Sequence, residues 1–428
     1  MLNNYFDTHQ YKWIPALAKP LAIWFALFLL VQAGSGQTPL NVWRSNGPNA
    51  EITSVVSDPI NSNIVYAASR HSGIFKSINT GASWSAFNEG FDYLEITRLA
   101  IDPSNPNILF AGKYNGVFKT TNGALTWNRT SGPTGYIGGL AIARSDPRIV
   151  YAGTSLVTTN GGETWNQYAP PPDQLSAQNL IVVDPQNPLI IYSGFDNYDD
   201  YFSALYKSTN GGISWRLLSY RASGGLITHA LKINSTSPNI IYAATFGGLY
   251  KTTNGGESWT LRGSPSPVYG LIGLAIDPVV PTILYAAVYN GGVYKSTNDG
   301  ATWSAFNNGL TNLNVGALEL DSSGTTLHVA TESGVFSVRV RGDAATVSVS
   351  GRVIGPDGRG LRNATVSITD SLGVRRTVTT SSFGFYSFDN VFAGEAYTIA
   401  VSSRLYRFSS RPVQVDGNLS DVDFVGME

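Results

Sequence analysis

His9, His71, His229 and His328 are the only imidazoles in the 428-residue chain, and there is no cysteine. Without thiols there can be no disulfide, no thiolate metal site and no cysteine nucleophile. The histidines are too dispersed for a zinc site or a catalytic triad, so neither a metal nor a cofactor is expected. Carboxylates remain as possible acid–base groups. Asp92 and Glu95 lie in one segment, and Asp196, Asp199 and Asp200 lie in another, GFDNYDDYF at 194–202. Two carboxyl groups about 5–10 Å apart across a scissile bond hydrolyse glycosides, so Asp92, Asp196, Asp199 and Asp200 are the candidate catalytic acids if the protein is a hydrolase. A second set is aromatic. Tyr93, Tyr114, Tyr136, Tyr168, Tyr220, Tyr269 and Tyr289 recur along the chain, Tyr198 and Tyr201 stand in the acidic segment, and Arg70, His71, Lys113, Arg221 and His229 accompany them. Flat rings among scattered polar groups suit sugar rings or peptide. Each tyrosine has the plainer alternative of stapling its loop to a neighbour, and the acidic segment that of a solvated loop.

The elements that position these residues follow from self-comparison. One octet recurs six times: SINTGASW from Ser77, TTNGALTW from Thr120, TTNGGETW from Thr158, STNGGISW from Ser208, TTNGGESW from Thr252 and STNDGATW from Ser296. An upstream aromatic recurs with it at Tyr66, Phe110, Tyr151, Tyr192, Tyr242 and Tyr285, with His328 in the matching place of a seventh copy, in steps of 44, 41, 41, 50, 43 and 43 residues. A period in the low forties with four short β-like runs is the signature of a propeller blade. In the second unit the runs are Ile96–Ile101 (strand a, ended by the turn signal Asp102-Pro103), 107–111 (b), Gly116–Thr120 (c) and 127–130 (d). The octet then forms the c–d turn, where Asn and Ser/Thr bond local backbone, Gly takes positive φ and Trp packs between sheets. The seventh copy has no octet and no Trp. Trp43-Arg44-Ser45 aligns with the openings of strand d, so the N-terminal segment is predicted to complete the last blade and leave no open edge. The a–b and c–d turns then lie on one face, and the b–c and d–a loops, which carry the tyrosines, lie on the other. The strand-a column through Ala100 holds small residues except Lys232 and Glu319, an expected structural ion pair near the axis.

This octet resembles the Asp-box, or bacterial neuraminidase repeat, with Asn79, Asn122, Asn160, Asn210, Asn254 and Asn298 in place of the usual Asp, and Trp84, Trp127, Trp165, Trp215, Trp259 and Trp303 closing the copies. The resemblance implies a sialidase-like seven-bladed β-propeller over 40–341, with these twelve residues structural and the ligand on the opposite face. Propellers with this box include sialidases and xyloglucan-cleaving glycosidases. The sialidase pattern needs three arginines and an early Arg-Ile-Pro-like motif, and no such motif follows Trp43. Photosystem II assembly propellers are a further, single-domain resemblance.

Past residue 341 the period stops. The stretches SGRVIGPDGRGLRNATVSITD and GFYSFDNVFAGEAYTIAV resemble the carboxypeptidase regulatory-like domain, which implies a transthyretin-like β-sandwich over 345–428. At the other end, Lys12 and Lys19 precede the eleven-residue apolar run Leu21–Val31 and the small residues Ala33–Gly36. That is a signal-peptide pattern for 1–36, since a spanning helix needs about 20 apolar residues; a membrane anchor is the alternative. The net charge of −1, with 28 basic residues thinly spread, argues against a nucleic-acid partner. The sequence is therefore read as an all-β protein, a seven-bladed β-propeller followed by a transthyretin-like β-sandwich. It is expected to be secreted, periplasmic or surface-located, with no membrane span once the leader is removed. Its expected role is non-catalytic binding of a glycan or protein on the loop face. The alternative is a glycoside hydrolase of sialidase-like or xyloglucanase-like type.

Overall fold

Each repeat folds as a four-stranded antiparallel meander, because short β-branched and aromatic runs alternate with turns of Asp-Pro, Asn and Gly. A computed structural model describes residues 40–427, except 133, 154, 172–178, 198–201, 221–227, 267–269, 342–345, 371–374, 393–394 and 416. The expected leader at 1–36 lies outside the described residues. Six four-stranded sheets, running from Ile52 to Ala305, are built from consecutive strands. A seventh combines Val315–Leu320, Thr326–Thr331 and Gly334–Arg339 with Arg44–Ser45. Ring closure follows the sequence expectation: Arg44 pairs with Ser337 and Ser45 with Phe336, antiparallel. With this closure the architecture is a seven-bladed β-propeller.

Within a blade, strand b is buried on both faces, since it lies in mid-sheet and is covered by both neighbouring blades. Strand a ends in a side-chain-capped turn. Asp58 Oδ1 accepts the amides of Ile60 and Asn61, and Asp102, Asp184, Asn234 and Asp277 repeat the arrangement. The octet turn is equally regular. Ser77 Oγ donates to Asn79 Oδ1 (2.9 Å) and accepts the Gly81 amide (2.8 Å), while Asn79 Oδ1 accepts the Ser83 amide and Asn79 Nδ2 donates to Ser83 Oγ. All six copies close this way. An amide offers an acceptor on one side and a donor on the other, so Asn closes the turn without a buried charge. The fifth position needs positive φ, and Ala124 adopts it (φ 75°) where the other copies carry glycine.

A lysine latch joins the blades. Lys76, Lys119, Lys207 and Lys251 lie over the strand-b rings of Tyr66, Phe110, Tyr192 and Tyr242. Each ammonium donates to the octet of the following blade, at Gly123 O, Gly161 O, Gly255 O and Asp299 Oδ2. The third blade has Val157 at this position and no latch. Where a seventh octet would stand, the chain leaves the ring at Arg341, whose Nη2 lies 2.6 Å from Asp277 Oδ2, both side chains being buried.

Residues from Thr346 onward form a β-sandwich. A four-stranded sheet is ordered Arg375–Thr379, Thr365–Asp370, Glu395–Ser402, Arg411–Val415, and a three-stranded sheet Phe385–Phe392, Thr346–Ile354, Phe424–Val425. Val353, Val366, Ile368, Ile399 and Phe388 fill the space between them. Among the described residues no helix is long and apolar enough to cross a membrane.

Candidate functional site

Antiparallel order puts the b–c turns and d–a loops on one face, and hydrogen bonds tie them together there: Arg70 N to Glu51 O, Gly73 N to Leu94 O, and Ile137 N to Lys113 O. Blades one to three bring the largest group of candidate residues to this face. Tyr93 at 70% and Tyr114 at 50% are exposed, and the Tyr114 ring meets half-buried Tyr136 at 4.9 Å between centroids. Arg70 donates to Glu51 at 2.5 Å and lies close enough to both phenols to feel them electrostatically. Tyr289, 49% exposed, stands on the same face in blade six.

Beneath Tyr93 is a cation that sequence reasoning placed on the surface. Lys113 ends strand b of blade two with its side chain 1% exposed, over the rings of Phe91 and Phe118. Its ammonium holds Asp92 Oδ1 and the Tyr93 carbonyl, each at 2.5 Å, and Asn115 donates to Asp92 Oδ2 at 2.7 Å. The hydrogen bond from Lys113 is the main cause that brings the Asp92 carboxyl down to about 2. A carboxylate so stabilised is a poor general acid at neutral pH, which corrects its candidacy for that role. Its work is to fix the loop tip that presents Tyr93. Tyr168 is a second correction. At 8% exposure it packs against Tyr151 and Trp215, and burial raises its pKa. The start of that d–a loop turns inward as a staple. His229 lies edge-on to Phe246 at 4.6 Å on the wall of the axial cavity, and burial pushes it down to about 4.

Tyr198, Asp199, Asp200, Tyr201, Arg221 and Tyr269 lie outside the described residues. The backbones of Asp196 and Tyr220 belong to the long hairpin and outer strand of blade four, Ile191–Asn197, Phe202–Ser208 and Arg216–Tyr220. No group of three or more histidines, aspartates or glutamates among the described residues could hold a metal.

The ring axis is hollow. A cavity of about 430 Å³ is lined by the first strand of every blade, with Arg98, Leu140, Leu180, His229, Lys232 and Ile272 among its walls. These are the residues where strand a leaves the loop face, so the cavity occupies that half of the axis. A separate cavity of about 160 Å³ lies towards the octet side, lined by Lys232, Glu319 and Asp277 among others. There burial raises the Glu319 pKa and the Lys232 charge opposes it.

The fold recurs in solved structures. The xyloglucanase of glycoside hydrolase family 74 from Xanthomonas campestris is 18% identical, with 89% of this chain and 68% of that one covered and a TM-score of 0.59. YCF48 from Cyanidioschyzon merolae is 15% identical over 70% of this chain and 98% of its own, with a TM-score of 0.55. PorZ, a surface component of the type-IX secretion system of Porphyromonas gingivalis, is 14% identical over 89% and 60%, with a TM-score of 0.53. At these identities the likeness is one of fold. A search of curated proteins finds no match. Residues 348–425 match the carboxypeptidase regulatory-like domain, so the chain joins a domain of that kind to a β-propeller.

Proposed function

We propose that the protein is an exported, non-catalytic binding or scaffold protein that holds a glycan or protein ligand on the loop face of its propeller. The carrying observation is Tyr93 and Tyr114, two exposed tyrosines, the first on a loop tip whose backbone carbonyl is held by buried Lys113 and the second packed against half-buried Tyr136. An aromatic platform that costs little to order is what recognition requires. The octets, with their tryptophans, serve the ring and not the ligand. In the hydrolase alternative, Asp92 is unsuited to the general-acid role because Lys113 holds its carboxylate.

The test is retention on a glycan array and on immobilised peptide libraries, run beside a polysaccharide hydrolysis panel. Binding without turnover is expected. Tyr93→Ala with Tyr114→Ala should weaken it about tenfold per ring, with an unchanged unfolding midpoint because both rings are exposed. Release of reducing sugar that is abolished by Asp199→Asn or Asp92→Asn would overturn the reading in favour of a glycosidase.

A further inference from the structure

The axial funnel is positively charged in a way the ring does not need. Its lining contains two cations, Arg98 and Lys232, and no aspartate or glutamate. Lys232 already faces Glu319 from the side of the smaller cavity. Arg98 does not have such a partner. Its Nη1 donates to its neighbour's carbonyl, Thr97 O, at 2.8 Å, and no carboxylate among the described residues lies within ion-pair distance of it. Another cation, Arg70, and the Tyr136 phenol lie near enough to act on it electrostatically. Arg98 is exposed to the funnel, so its guanidinium is free to pair with an anion that a ligand brings there.

The other walls say which anion. Leu140, Leu180, Ile272 and Ala317 present part-buried aliphatic surface to the funnel, and Thr53, Ser54 and the neutral His229 are its uncharged polar side chains. A neutral sugar ring would bring no anion to Arg98, whereas a carboxylate on a methylene stem brings one and can lay its stem along these aliphatic side chains. We propose that the funnel takes the side chain of an acidic residue from a partner polypeptide, with Arg98 as counter-ion. Tyr93, Tyr114 and Tyr136, on the loops beside Arg98, grip the adjoining stretch of the peptide. This rests on the loop-face binding reading and narrows its ligand to an acidic peptide.

A random heptapeptide library selected on the immobilised full chain tests it, with oligogalacturonate as the glycan arm. The wild-type protein should enrich peptides sharing one Glu or Asp. Replacing that residue by its amide, or making Arg98→Met, should each cost at least about tenfold in affinity, and the two losses should not add. Arg98→Glu should shift the enrichment to Lys or Arg. Selection without acidic enrichment, or equal affinity for Arg98→Met, overturns the proposal while leaving loop-face binding intact. So does preferential binding of oligogalacturonate. An Arg98→Met protein that loses stability but no affinity overturns it too, by giving the guanidinium a purely structural role. Absence of any ligand, together with polysaccharide hydrolysis, overturns both readings.

Discussion

Trp43→Ala should destabilise the propeller by about 3–5 kcal/mol, the range for deleting a fully buried large aromatic. Trp43 is 2% exposed and lies in the core between blades six and seven with Leu310, Phe336 and Val338. Its Nε1 donates to Phe306 O at 2.6 Å, and its ring meets Phe306 edge-on at 6.0 Å. The backbone repeats an interior blade: Trp43 N bonds Asn308 O as Trp127 N bonds Glu89 O. Only two ladder pairs, a bridge at Leu40 and a few backbone bonds accompany this indole at the seam. Trp84→Ala is the internal control. That indole is half-buried and its Nε1 has no acceptor among the described residues, so the same deletion should cost clearly less. Urea midpoints for the two variants check this; equal losses would mean that Trp43 is not the closing wedge.

Arg341→Leu should cost a similar amount, about 3–5 kcal/mol, because it strands a buried carboxylate. Asp277 is fully buried, and its Oδ1 caps the a–b turn by accepting the amides of Val279 and Val280. Desolvation raises its pKa, and Arg341 is the chief opposing influence. In the variant the opposition is gone and the folded-state pKa climbs further above the unfolded value. A carboxyl whose pKa is raised on folding contributes stability in acid that is lost as pH rises through the folded pKa. The deficit should therefore be largest at neutral pH and shrink on acidification. Asp277→Asn in the Arg341→Leu background should recover much of the loss, since Asn234 already caps the equivalent turn in blade five. A pH-independent deficit, or no recovery by Asn, would contradict this account of the seam.

Much of the architecture was legible because the repeat signals it several times over. The strand-a and strand-c boundaries Ile96–Ile101, Gly116–Thr120 and Val315–Leu320 fall where the sequence pattern puts them. The reason is that a capped Asp turn and an octet turn bracket them. The sandwich was read less fully. Arg375–Thr379 and Arg411–Val415 are missing from the pattern because they are edge strands with much exposed polar surface, and Pro412 breaks the β-like composition of the second. The site was the least legible. Tyr168 and Tyr114 look alike in sequence, yet one docks between blades and the other stays exposed, a choice made by neighbours far along the chain. Lys113 reads as a surface residue until Phe91 and Phe118 are seen to enclose its stem. The latch lysines did leave a signal, an aromatic-Lys-Ser/Thr triplet before five octets, as in Phe75-Lys76-Ser77. The funnel itself is invisible in sequence because its walls come from seven separate segments.

A single loop face and a single axial funnel exist only if the chain's own N-terminal segment seals the ring. The chain has no cysteine, so Arg44→Cys with Ser337→Cys, opposite one another in the closing ladder, reports on this alone. The account predicts that mild oxidation of the native double variant yields an intramolecular disulfide, and that closing so long a loop stabilises it by about 4–5 kcal/mol over its reduced form. Two free thiols in the oxidised native protein, with an unfolding midpoint indifferent to reductant, would show that the front strand is docked elsewhere and would contradict the account.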